Sequence, residues 1–187
     1  MTAQPHSEQF YSERFNTPTG WMRIVIDEEQ RLRAADWEDK GDRMRRLLRL
    51  HYGENIAILD TSVASGARLA LEAYFNGELH AIEAVATATR GTDFQRQVWA
   101  ALRAIPVGTT VSYSQLANCI GRPAAVRAVG AANGANPIPV VVPCHRVIGA
   151  DASLTGFGGG LERKRWLLAH EGLYTGPSVP FNLELGM

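Results

Sequence analysis

Cysteine is scarce in this chain, with two residues in 187, and that scarcity closes off two classes of protein. A chain of this length has no need of a disulfide staple, and Cys119 and Cys144 sit in unlike sequence contexts, so both are expected as free thiols. Structural zinc needs clustered Cys and His, whereas His6, His51, His80, His145 and His170 are scattered and no Cys precedes residue 119; no metal is expected. Long apolar runs are missing too. Nothing approaches the roughly 20 residues of a membrane helix, and the opening MTAQPHSEQFYSERF lacks the apolar stretch of a signal peptide. The expectation is a soluble cytoplasmic protein with no membrane contact. There is no internal repeat and no low-complexity tract.

An excess of one charge is also absent, since the formal net charge is zero, which by itself argues against a nucleic-acid partner. The distribution reverses that argument. Residues 90–171 carry nine basic and four acidic side chains, so a basic second half stands beside an acidic remainder. Either one face of the protein meets a polyanion with moderate, salt-sensitive affinity, or the asymmetry lies on solvated surfaces.

What is present is 45% hydrophobic residues against 20% charged ones, enough core for one ordinary domain or two small ones. After a polar start, residues 21–38 alternate at Ile24 and Ile26 and again at Leu32 and Ala34 across a polar turn at Asp27 to Gln30, which predicts a β-hairpin. Met44, Leu47, Leu48 and His51 fall at helical spacing, as do Leu69, Ala73 and Tyr74 before the stop signal Asn76 and Gly77. This part is therefore α+β. Residues 81–90 show no period and are the best linker candidate.

Beyond the linker, Thr92 with Gln95 and Ser112 with Gln115 have capping-box spacing. The first opens a helix with Phe94, Val98, Ala101, Leu102 and Ile105 on one face, stopped by Pro106; the second opens a short helix through Leu116, Ala117 and Ile120 that ends at Gly121. A third helix starts at Pro123 and ends at Asn133 and Gly134, with Arg127 as its one charge. Two short helices across a tight turn are either a DNA-reading helix-turn-helix or one of the many helix pairs that never touch DNA. Small side chains would let such a helix approach a groove closely.

Val140 to Pro143 lead an apolar run into Cys144, followed by His145, Arg146 and the turn residue Gly149. A neighbouring base or cation turns a cysteine into a nucleophile by favouring the thiolate; the same cysteine could equally be a core residue. The glycine-rich stretch 156–160 lacks the Lys-Ser/Thr ending of a phosphate loop, so no nucleotide cofactor is expected. A last helix, Leu161 to Glu171, is closed by Gly172, with Trp166, Leu167 and Leu168 as core. Glu171 is badly placed for the helix dipole, so it either orients a histidine or is a solvated surface acid.

Taken together, Val-Pro-Cys-His-Arg-Val-Ile-Gly at 142–149, Arg-Ala-Val-Gly-Ala-Ala-Asn at 127–133, Asn-Pro-Ile-Pro at 136–139 and Leu-Leu-Ala-His-Glu-Gly at 167–172 resemble the methylated-DNA–protein-cysteine alkyltransferases, in the bacterial form without an attached transcriptional regulator. The likeness is close over residues 90–174. It implies an N-terminal ribonuclease-H-like domain (1–88), a C-terminal winged helix-turn-helix domain (89–174) and a tail (175–187). It also implies repair without a cofactor, in which a monomer binds double-stranded DNA, flips an O6-alkylguanine through the minor groove and takes the alkyl group irreversibly, with O4-alkylthymine as a second lesion.

By position, Cys144 matches the alkyl acceptor, and His145 with Glu171 the relay that withdraws the thiol proton through a water. Asn136 matches the residue holding the active-site turn, and Tyr113 the tyrosine that rotates the nucleotide and protonates guanine. Arg127 matches the arginine filling the space left by the base, on a helix whose Ala125 and Ala128 would lie against the groove. Pro139, Val147, Phe157 and Gly158 match the guanine pocket. Phe157 replaces a common tyrosine, and Gly158 stands where some relatives have serine. Three rivals remain: a module that binds the lesion without transfer, a Cys-His hydrolase, and a helix-turn-helix regulator without chemistry.

Overall fold

The computed structural model describes residues 8–54 and 56–173. Its first part is a four-stranded sheet. Strands β1 (Gln9–Thr17), β2 (Gly20–Asp27) and β3 (Leu32–Trp37) run antiparallel, and β4 (Ala57–Asp60) adds parallel to β1, giving the order β3-β2-β1-β4. The expected hairpin is β2 and β3, turning at Asp27 to Gln30. Asp27 organises that turn, accepting from the backbone N–H of Glu29 and Arg31 and from the Arg31 and Arg33 side chains.

The polar start is corrected, because β1 occupies it and pairs with β2 along its whole length. Its pattern is hard to read because Ser12 and Glu13 are buried beside Phe10 and Phe15. Glu13 is held by a backbone N–H from Ser65. The short β4 leaves Ile58 and Leu59 exposed.

Both faces of the sheet are covered, which is why β2 reads as a nearly unbroken apolar run. Helix α1 (Gly41–Tyr52) places Met44 and Leu48 against Phe10, Val25 and Ala34 on one face. Helix α2 (Gly66–Phe75) places Ala67, Leu71 and Tyr74 on the other, with Met22, Ile24, Ile26 and Trp37. The helical spacing expected for α2 holds at Tyr74, which is buried, and fails at Leu69, which is exposed, the buried row being Ala67, Leu71, Tyr74 and Phe75. The expected linker is also corrected. Residues 81–84 form a 3-10 turn with Ile82 and Val85 in the core, and Ala86 and Ala88 hydrogen-bond Leu32 along the edge of β3.

The second part follows the capping signals closely. Helices α3 (Asp93–Arg103) and α4 (Tyr113–Cys119) both begin with complete capping boxes. Each reciprocal cap satisfies two N–H groups that a helix start otherwise leaves open, a contribution of about 1 kcal/mol. The third expected helix begins as a 3-10 turn at Pro123–Ala125 and continues as α5 (Val126–Gly134). Trp99 clamps α3 to α5 by donating to the Ala132 carbonyl at 2.9 Å. The two-residue strands β5 (Val111–Ser112) and β6 (Val147–Ile148) pair in parallel, and α6 (Leu161–His170) closes the fold. In α6, Leu167 and Leu168 are buried and Trp166 is partly covered.

One hydrophobic core runs from Met22 and Leu71 through Trp99 and Val129 to Cys144 and Leu167. Among the described residues no helix is long and apolar enough to cross a membrane. The tail expected from residue 175 lies outside the described residues.

Candidate active site

The segment 136–144 folds back on itself around one side chain. Asn136, fully buried, accepts from the Ile138 N–H at 2.9 Å and donates to the Val142 carbonyl at 2.7 Å, so both halves of its amide are used to clasp the turn. Inside the turn Val140 has φ +76°, a left-handed conformation that a β-branched residue adopts only when its surroundings impose it. The Pro137 carbonyl accepts from Ala35 of β3, which ties the turn to the sheet. Cys144 follows as the first residue of a 3-10 turn with His145 and Arg146, all three buried. Both cysteines are free; Cys119 is exposed and Cys144 buried.

Glu171, just past the end of α6, is not a surface acid. Its Oε1 accepts from His145 Nε2 at 2.9 Å, from Arg146 at 2.9 Å and from the Tyr74 hydroxyl at 2.7 Å, and its Oε2 accepts from Arg146 Nε at 2.8 Å. Arg146 also donates to the Ile105 carbonyl. Burial alone would raise the Glu171 pKa, but the hydrogen bonds from His145 and Arg146 and their charges outweigh it and hold the carboxyl well below its usual range. His145 has no exposed surface, and burial pushes its pKa down despite the pull of Glu171. The imidazole is therefore neutral, with the proton on Nε2 facing the carboxylate and the lone pair on Nδ1. That second nitrogen, equally buried, makes no hydrogen bond among the described residues.

Of the two readings the sequence left open, a thiolate favoured by its neighbours and a buried thiol, the surroundings of Cys144 favour the second. Burial raises the Cys144 pKa, and the Asn136 hydrogen bond with the charges of Arg43 and Lys164 opposes this without reversing it. A protonated thiol needs a base to become a nucleophile, and the next residue in the chain, His145, carries a neutral imidazole that is able to accept a proton. Lys164 is fully buried with its ammonium on the carbonyls of Val147 at 2.5 Å and Thr155 at 2.6 Å, and burial lowers its pKa to about 8.

The other expected residues fall into two groups. Pro139 and Val147 are buried beside the turn, and the Phe157 ring stands edge-on to His145 at 6.5 Å and to Trp37 at 6.0 Å. Pairing of β5 with β6 brings Ser112 level with Ile148 and so sets Tyr113 next to this region; a side chain at Gly156 would come within 4.0 Å of the Tyr113 hydroxyl. Gly158 has a steric reason to be glycine, since a Cβ there would lie 2.6 Å from Arg43 Nε. Arg43 cannot yield, because it is bonded to Asp36, Gly134 O and Asn136 O. The second group is on the surface: Arg127 and Ala128 are exposed on α5 together with Ala131, and the half-buried Ala125 and exposed Ala124 lie in the 3-10 turn that leads into it.

Three residues at the centre carry no site signal in the sequence, and a fourth, Arg146, carries a partial one. Tyr74 reads as ordinary helix core, Arg43 and Lys164 sit in Arg-rich and Lys/Arg-rich runs that resemble solvated surface, and Arg146 was noted only as a cation near the cysteine. No local pattern separates them from their neighbours.

A buried thiol, a neutral histidine next to it in the chain and an acid bonded to that histidine are the parts from which a cysteine nucleophile can be built. Comparison with known proteins narrows the class. Residues 93–173 match the model for the DNA-binding domain of 6-O-methylguanine DNA methyltransferase. A methylated-DNA–protein-cysteine methyltransferase of Salmonella typhimurium is 54% identical over 161 residues, 86% of this chain and 94% of that one. Among solved structures, Mycobacterium tuberculosis OGT in complex with DNA superposes with a TM-score of 0.73 at 42% identity, covering 86% of this chain and 92% of the other. The fold is shared more distantly by the Pyrococcus kodakaraensis O6-methylguanine-DNA methyltransferase, with a TM-score of 0.59 at 21% identity, covering 87% and 99%. The chain belongs to the methylated-DNA–protein-cysteine methyltransferase family.

Proposed function

We propose that this protein repairs DNA by direct reversal, moving the alkyl group of O6-alkylguanine onto Cys144 once and irreversibly. The Cys144 thiol gives its proton, by way of a water, to His145 Nδ1. The sulfur attacks the alkyl carbon, the carbon–O6 bond breaks with its electrons going to the base, and Tyr113 supplies the proton that leaves neutral guanine. The product is a thioether with no hydrolytic exit at neutral pH, so each molecule acts once, and no cofactor enters the balance.

The observation that carries this reading is the bond between His145 Nε2 and Glu171, which leaves Nδ1 as the basic nitrogen of an uncharged, buried imidazole. The relative solved with DNA supports duplex DNA as the partner.

The first part of the chain (1–88) corresponds in this reading to a ribonuclease-H-like domain and the second (89–174) to a winged helix-turn-helix, with α4 and α5 as the helix pair. Arg127 fills the stack while the base is held in a pocket formed by Pro139, Val147, Phe157 and the backbone at Gly158, and Ala125 and Ala128 let α5 enter the minor groove. Extrusion of a base costs a few kcal/mol, which an inserted guanidinium and the pocket contacts offset. The same pocket takes O4-alkylthymine. The protein works as a monomer in the cytoplasm, where bacterial DNA lies.

The test is intact-mass and peptide mass spectrometry after mixing with a duplex that carries a single O6-methylguanine. One methyl on the Cys144 peptide, at no more than one equivalent, is the expected result, and Cys144→Ala should lose all transfer while still binding the lesion. An unmodified wild type that binds the damaged duplex would instead make this a recognition module.

A further inference from the structure

We propose that Tyr74, on α2 of the N-terminal part, is a positioning residue of the transfer centre: its hydroxyl shares Glu171 Oε1 with His145 and so sets the pH below which the histidine stops acting as a base. The assignment rests on the reading of His145 as the base, and it adds a residue that lies outside the segment matched by the family model.

Among the described residues three donors converge on Oε1, namely the Tyr74 hydroxyl at 2.7 Å, His145 Nε2 at 2.9 Å and Arg146 at 2.9 Å, while Oε2 takes Arg146 Nε. A carboxylate oxygen offers about two lone-pair sites, so the three compete. The phenol makes the shortest bond and, unlike the imidazole, has no cationic form to take up. Its proton stays in place, since burial first and the adjacent Glu171 second push the Tyr74 pKa far up. A donor that never ionises draws a fixed share of the carboxylate's charge away from the imidazole. Without it, more of that charge faces Nε2, the imidazolium is favoured, and Nδ1 is lost as a base at a higher pH.

The phenol's position is set by the seam between α2 and α6. Tyr74 has no exposed surface, its ring stands edge-on to Phe75 and His170, its carbonyl meets His170 Nε2 at 2.7 Å, and His170 stacks on Trp166. The remaining charged groups around the centre are Arg146 and Lys164, which oppose protonation of His145, and Arg43, which together with Lys164 acts on Cys144. None of them duplicates a neutral donor to Glu171.

Single-turnover transfer from an O6-methylguanine duplex, measured from roughly pH 5 to 9, tests the assignment in wild type, in Tyr74→Phe and in protein carrying 3-fluorotyrosine at position 74, whose hydroxyl is a stronger donor. NMR titration of the His145 imidazole reads the same equilibrium without catalysis. Tyr74→Phe should raise the midpoint of the acid limb and of the imidazole titration by roughly half a unit to one unit, and the fluorinated phenol should lower both. If Tyr74→Phe does not fold, the fluorinated protein keeps the test open. Midpoints that stay together, whatever happens to the melting temperature, would mean that Tyr74 only fills space, and they overturn the assignment while wild-type transfer leaves the functional reading intact. A wild type that never alkylates Cys144 fails that reading instead, and with it Tyr74's part in the reaction.

Discussion

Around Cys144 the polar side chains of His145, Arg146, Asn136 and Glu171 are buried and tied to one another or to backbone carbonyls. A short way upstream, the outward face of α5 carries alanines and one exposed arginine. The difference follows from what water does in each place. A buried charge is tolerable only with its hydrogen bonds made, so the centre needs many partners and each is costly to remove. On an exposed face water satisfies whatever the protein does not, so residues can be chosen for shape, and small side chains leave room for another molecule's surface. Chemistry requires the first kind of region, contact with a large polyanion the second.

Glu171→Gln strikes the buried region where most bonds meet and should have the largest effect. It leaves Arg146 without a carboxylate and removes the group that orders the His145 tautomer; a loss of about 3–5 kcal/mol is expected in denaturant unfolding, with transfer reduced at every pH. The pH dependence has a definite sign. The folded-state pKa of Glu171 lies below its ordinary 4.5, so its contribution to stability is complete above that value and is lost as the pH falls further, towards the folded pKa. Wild-type stability should therefore decline through this acid range, and the variant's should decline less.

Arg127→Ala probes the exposed region alone. Melting should stay within about 0.5 kcal/mol of wild type, whereas single-turnover transfer from duplex DNA should slow by about 10–100-fold if the guanidinium offsets a few kcal/mol of unstacking. A loss of stability without a loss of transfer would erase the contrast between the two regions.

Gly158→Ser is the smallest test and joins the two, because it alters the wall of the proposed guanine pocket through packing. The new Cβ meets a pinned Arg43, and overpacking of this kind costs about 1–3 kcal/mol. In an Arg43→Ala background the same substitution should cost much less, and a double-mutant cycle of thermal melts reads that coupling.

Local rules made the capped helices and the β2–β3 hairpin legible, because a capping box or a turn residue acts within a few positions, whereas the turn before Cys144 came only through the resemblance at Asn136. Strand β1 escaped because Ser12 and Glu13 are buried, which breaks the alternation that marks a strand. The exposed β4 has no burial pattern at all, and Leu69 was misread because two helical rows of apolar residues compete on α2. The expected linker turned out to be packed, since pairing with β3 is a long-range contact that composition cannot express. Within the site, Glu171 stood out as an acid at the wrong end of a helix, open to orienting a histidine or to lying on the surface, and the resemblance paired it with His145. The network explains that placement, with Arg146 and His145 supplying what the helix dipole withholds.

By itself the sequence determined the helix starts and stops, the adjacency of Cys144 and His145, the alanine-rich helix with its arginine and, through their resemblance, the family. These depend on neighbours in the chain, and the chemistry of a thiol or an amide is the same wherever it is placed. Only the tertiary structure decided that Cys144 is a protonated, buried thiol rather than a ready thiolate, that Arg43 forces glycine at 158, and that a phenol from α2 shares the acid that orients His145. Each of those facts is a competition between burial and a specific partner, and both are set by residues that meet only when the chain has folded.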